Sequence, residues 1–176
     1  MQILSYVLSI LGMISMISAS LIKGKNMKAI LFLVCCANFL VATGYLLGGS
    51  GINGAASCFL GGIQSIVNYF FESKKKPLPR WLIAIYAVSF VAVNIAVGGF
   101  APIVILAIVA CLSFIMGIVQ KNGAKYRFWI IVNTCLWILY DIVSKSYGAL
   151  TSHIPLLIFT VAGMIIHDRK QKANQE

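Results

Sequence analysis

The sequence predicts an all-α membrane protein with seven transmembrane helices in a 3+1+3 arrangement. Two parallel three-helix repeats flank a single helix, with the N-terminus out and the C-terminus in. Three observations lead there. Of the 176 residues, 60% are hydrophobic and only 10% charged, with a mean hydropathy of +0.94; a water-facing surface needs about a quarter charged residues. Thirteen of the 14 Lys and Arg residues fall in alternate gaps between apolar stretches, as in a chain whose cytoplasmic loops retain Lys and Arg. A shift of 95 or 96 residues lays Lys25-Asn26 on Lys121-Asn122, Asn38 on Asn133, Tyr45 on Tyr140 and Glu72 on Asp168, and such self-similarity marks an internal repeat.

Crossing a hydrocarbon core of ~30 Å takes about 20 apolar residues, and seven stretches qualify: residues 2–22, 28–47, 51–71, 81–97, 101–119, 126–143 and 150–167. The first lacks a basic segment before it, so it is not a secretory signal. Its small residues Ser5, Ser9, Gly12, Ser15 and Ala19 recur at helical spacing and read as a packing stripe, because small side chains let backbones approach. The second carries Asn38 and Tyr45. On the third, Asn53, Ser57, Gly61, Gln64 and Asn68 recur at steps of four, four, three and four, which puts a polar stripe on one face. Polar groups in hydrocarbon need partners. For Gln64 and Asn68, interhelical bonding and the lining of a solute path both remain open.

Lys74, Lys75, Lys76 and Arg80, with Pro77 and Pro79 among them, form a linker to the fourth span. That span is apolar except for Ser89 and Asn94 and reads as a connector. A single helix between two three-helix units restores their common orientation, an architecture of transporters with parallel repeats. The organisation is then 1–73, first repeat; 74–98, linker and inverter helix; 99–169, second repeat; 170–176, cytoplasmic tail. The fifth span offers no chemistry. The sixth holds Asn133, Trp137, Tyr140 and Asp141 on one face, with Asp141 ~21 Å beyond Arg127 towards the outer surface. An Asp at a helix centre costs about 2.5–3.5 kcal/mol, less near the interface. Asp141 is therefore either an outer gate or proton site, paired with His153 of the seventh span, or an interfacial carboxylate in water. Lys145 is either its ion-pair partner or a solvated loop residue.

The charge of +10 is spaced by the spans and forms no stripe for nucleic acid, so no DNA or RNA partner is expected. Cys35, Cys36, Cys58, Cys111 and Cys135 lie inside spans without CxxC spacing and read as packing residues. His153 and His167 have no second ligand at metal spacing. Phosphate-loop, HExxH and GxSxG motifs are lacking. Neither cofactor, metal nor enzymatic activity is expected. The partners are the lipid bilayer and a small polar solute, with a homo-oligomer left open.

The stretch from Asn133 to Tyr140, NTCLWILY, resembles the sixth-helix pattern of the SWEET and PQ-loop transporter superfamily, and Asn53-Gly54 resembles its substrate-binding Asn-Gly pair. Within this similarity the chain is closest to the YgjV-like bacterial inner-membrane proteins. The resemblance implies a multi-pass protein of the bacterial inner membrane in which Asn53 and Trp137 contact solute and Asn38 and Asn133 occupy matching pocket positions. Ala42 and Ala149 stand where SWEETs carry Trp and Asn, which leaves the solute open. The expected function is a facilitator that moves a small polar solute by alternating access, with Asn53, Trp137, Asn38, Asn133, Gln64, Asn68 and Tyr140 as substrate residues and Asp141 and His153 as the outer gate. The alternative is a receptor or assembly factor that holds a ligand or partner helix in the same cavity.

Overall fold

A computed structural model describes residues 2–22, 26–48 and 52–173, the side chains of 147–148 and 167–173 excepted. Lys23, Lys25 and the side chains of His167, Asp168, Arg169, Lys170 and Lys172 lie outside the described residues. The described chain is all-helical and contains no strand: α1 (Gln2–Leu21), α2 (Met27–Gly48), α3 (Ile52–Ser73), α4 (Arg80–Gly98), α5 (Pro102–Ile118), α6 (Gly123–Ser144) and α7 (Tyr147–Ala173). Five of these are long and apolar enough to cross a membrane: α1, α2, α4, α6 and, over Ala149–Ile166, α7. The 17-residue α5 is apolar but shorter. In α3 the polar stripe dilutes the hydropathy; nine of its residues are buried, all five stripe residues among them.

Local chemistry sets the boundaries. Gly99, at φ +66°, ends α4 in a conformation that L side chains rarely adopt. Pro102 opens α5, where its missing N–H costs nothing. Asn122 caps α6 by accepting a bond from the Ala124 N–H at 2.8 Å, satisfying one of the first-turn donors. Lys145 closes α6 in the left-handed region at φ 58°.

Two boundaries differ from those expected. Because α6 begins at Gly123, three residues before the expected start, Lys125 belongs to the helix and not to a loop. Arg127 is only 2% exposed and donates from Nη1 to the Ser20 carbonyl at 3.4 Å and the Ile22 carbonyl at 3.2 Å. It thereby satisfies carbonyls at the end of α1 that have no partner within that helix. The last helix starts before residue 150 and runs through the expected tail to Ala173. Pro155 lies inside α7 and deprives the carbonyl one turn earlier of its usual donor.

Consecutive helices pack on one another, and contacts of α1 with α7 and of α3 with α5 close α1, α2, α3, α5, α6 and α7 into a ring; α4 leans on α3 and α5 from outside. Helices α1 and α2 approach each other closely. A Cβ on Gly12 would stand 2.6 Å from a Val41 methyl and 3.1 Å from the Ala37 carbonyl oxygen. Ser5 donates to the Gly44 carbonyl at 2.6 Å and Ser15 to the Leu33 carbonyl at 2.9 Å. The small-residue stripe of α1 packs on α2, as expected, and Ser5, Ser9 and Gly12 also border the cavity within the ring. In contrast, α4 is more than an apolar connector. Asn94 is fully buried, donates to the Ser57 hydroxyl at 3.0 Å and the Phe90 carbonyl at 2.9 Å, and lies 3.8 Å from the Cys111 sulfur. It ties α4 to both α3 and α5.

Candidate functional site

The ring encloses a cavity of about 280 Å³ between the α1–α2 pair and the α6–α7 pair, with Ser57 and Cys58 of α3 and Cys111 and Phe114 of α5 at its floor. It occupies the end of the bundle that holds the α6–α7 connection, away from Lys74, Lys75, Lys76 and Lys121. A smaller cavity of about 190 Å³ lies at the basic end, bordered by Met27, Asn68, Glu72, Lys76, Ile118 and Lys121.

Of the residues expected to meet solute, Asn38, Asn133 and Trp137 border the larger cavity, as does His153. The Asn38 amide donates to the Val34 carbonyl of its own helix at 2.8 Å. The Asn133 amide donates to the Ala110 carbonyl at 2.7 Å and approaches the Ser113 hydroxyl at 3.4 Å. Both side chains therefore spend N–H groups on the protein and keep their carbonyl oxygens, which accept hydrogen bonds. Trp137 meets Tyr140 edge-on at 5.2 Å and stacks on the His153 ring at 6.3 Å with an interplanar angle of 13°.

Asn53, Gln64, Asn68, Tyr140 and Asp141 are not part of that wall. Asn53 donates to the Asn94 carbonyl at 3.2 Å, on the α3–α4 seam beside Gly98. Asn68 accepts from the Tyr86 hydroxyl at 3.2 Å and donates to the Ile118 carbonyl at 3.3 Å, which bonds α3 to α4 and α5. Gln64 is fully buried, and neither its amide nitrogen nor its oxygen has a hydrogen-bond partner. It lies on α3 between Gly61, whose Cα faces the Asn38 carbonyl oxygen, and Asn68 at the basic end.

Asp141 is fully buried, not an interfacial carboxylate in water. Its Oδ2 is 2.6 Å from His153 Nδ1, so its hydrogen-bond partner is His153; Lys145 borders the cavity mouth and is exposed. From α2, Tyr45 turns its phenol towards the same carboxylate without reaching hydrogen-bond geometry. The Tyr45 ring rests on Gly54, where a Cβ would come within 3.0–3.1 Å of it. Tyr45 and Asn94 were not anticipated as site or hub residues. Tyr45 was visible only as the repeat mate of Tyr140, and Asn94 only as a lone amide in an apolar span.

A family profile for bacterial inner membrane proteins, Imp-YgjV, matches residues 2–171. The chain belongs to the YgjV family. No curated protein matches it, and no solved structure does. This YgjV-family protein is an integral, multi-pass protein of the bacterial inner membrane. Its exposed apolar side chains, such as Ile3, Phe32, Val88, Ile105 and Ile158, therefore contact lipid. Among the described residues, no group of three His, Cys, Asp or Glu side chains is placed to hold a metal ion.

Proposed function

We propose that this YgjV-family protein transports a small polar solute by alternating access, with the larger cavity as its binding site. The observation that carries the proposal is the meeting of Asn38 and Asn133, 95 residues apart, on the wall of one cavity beside Trp137. Neighbour relations support it: α1–α2–α3 and α5–α6–α7 pack in the same sequential order, and the contacts α3–α5 and α7–α1 join the two sets. This neighbour order supports a reading of two parallel repeats with an outlying fourth helix. The cavity lies away from the basic end, which the positive-inside rule puts in the cytoplasm. On that orientation the cavity faces outward, and the buried Gln64 stands between it and the basic end.

Site chemistry narrows the solute. The volume of about 280 Å³ is near the lower limit of ~300 Å³ for ligand pockets, so the solute is smaller than a typical drug. The two free amide oxygens call for a solute with hydrogen-bond donors, and Trp137 gives it a flat apolar wall. A hydroxylated or amide-bearing molecule fits both.

The test is uptake of a panel of small labelled polyols and amides into proteoliposomes. Uptake by the unaltered chain that is lost in Trp137→Ala and Asn133→Ala, both still folded by size exclusion, is the expected result. Undiminished uptake in both variants would refute the site. Saturable binding without uptake would instead indicate the receptor alternative.

A further inference from the structure

Asp141 is wholly buried on a membrane-spanning helix. Its Oδ2 is held by His153 at 2.6 Å, while Oδ1 has no hydrogen-bond partner. An ionisable group at such a depth is costly and by default functional. The other titratable groups near the pair are Tyr45 from α2, Cys58 from α3 and Tyr140 on α6, with Lys145 and, from α1, Tyr6 at the same cavity, and Cys111 from α5 beyond. Free phenols, thiols and amines hold their protons at neutral pH. The pair is what can change charge there.

We propose that Asp141 and His153 form a proton-binding site that opens into the cavity and couples proton occupancy to closure of the seam across that cavity, where Tyr45 of α2 faces Asp141 of α6. This rests on the transporter reading and replaces facilitated diffusion with proton coupling. With Asp141 ionised, its oxygens only accept hydrogen bonds, and His153 Nδ1 then carries a hydrogen and donates it to Oδ2. Nε2 then bears the lone pair, and His153 borders the cavity at 16% exposure. Loading forms an N–H bond at Nε2 with a proton given up by cavity water, and unloading returns that proton to water. Loading takes the pair from a net charge of −1 to neutral. A neutral, hydrogen-bonded pair tolerates a dry seam, whereas a carboxylate without a counter-charge calls for water. The loaded pair therefore lets Tyr45 close over Asp141, and the unloaded pair holds the seam open. Trp137, stacked on the imidazole, adds a cation–π contact in the loaded form only.

The test uses the full chain with its cysteines replaced and one thiol in the cavity wall, Ser9→Cys, reconstituted in liposomes. Labelling by a membrane-impermeant thiol reagent is followed from about pH 5.5 to 8.5, across the range where histidine charge changes. The same thiol in a His153→Gln background supplies its own pH dependence. After normalisation, labelling should slow several-fold on acidification, and the effect should vanish in Asp141→Asn. If Asp141→Asn fails to fold, the His153 ¹³Cε1 shift in a His167→Gln chain replaces it and should titrate in step with the labelling rate. A normalised rate that ignores pH, or an imidazole that does not titrate in that range, would overturn the proton site. Solute flux with pH-independent gating would sink the proton site and leave the carrier, whereas gating without flux would sink the carrier alone.

Discussion

Asn94 and Gln64 show opposite ways of treating a buried amide. Asn94 bonds Ser57 and the Phe90 carbonyl and accepts from Asn53 and Ser57. Asn94→Ala should lower stability in detergent by about 1–3 kcal/mol, because it strips partners from two buried polar neighbours. An unfolding midpoint equal to that of the unaltered chain would contradict this. Asn53→Ala should cost less, about 0.6–1.7 kcal/mol for an interhelical bond, and leave solute affinity intact, since Asn53 is bonded at the α3–α4 seam. Gln64 has no partner at either polar atom, and replacing an unsatisfied buried group by an apolar one of similar shape is neutral or stabilising. Gln64→Leu is expected to raise the midpoint and to slow uptake, because the amide then cannot meet water or solute when the inner end opens. A lowered midpoint would show that Gln64 is satisfied in the folded state. Residue type revealed that these amides lie in spans. Which of them are paired depends on neighbours on other helices, 37 positions away between Asn94 and Ser57 and 41 between Asn53 and Asn94, and no local pattern encodes that.

Among the elements, α1 and α2 depend on close approach, and α6 on the end of α1. Gly12→Val would push a branched side chain into Val41 and the Ala37 carbonyl; a core overpacked in this way loses about 1–3 kcal/mol, readable as a fall in the thermal midpoint. Helical spacing revealed this stripe beforehand because periodicity is local and the small residues repeat along one face. Arg127 was different. The positive-inside rule says on which side a cation stays, not whether it is solvated, and the carbonyls that Arg127 binds are 105 and 107 residues earlier in the chain. Asp141 follows the same logic: its depth along α6 was readable at 1.5 Å per residue, but the choice of His153 over Lys145 came from how α7 turns against α6.

At the scale of the molecule, the seven helices of the described residues form a ring of six with one outlier, and the ring surrounds the cavity. A reporter active only outside the cytoplasm, fused after Glu176, should stay inactive; a strong signal would reverse the proposed orientation and put the cavity at the inner face. A solute that occupies the cavity at about 100 times its dissociation constant should stabilise the fold by about 2.7 kcal/mol, a shift that Trp137→Ala should abolish. The sequence by itself determined the membrane class, the number and order of the helices and the asymmetry of charge between the two ends, since hydropathy and charge act residue by residue along the chain. It also marked Asn38, Asn133 and Trp137. Only the tertiary structure decided that these three share a cavity while Asn53 and Asn68 bond neighbouring helices, and that Asp141 is buried and held by His153. Rotation of each helix about its axis depends on the packing of all its neighbours together, and in a membrane that packing is settled by contacts between helices far apart in sequence.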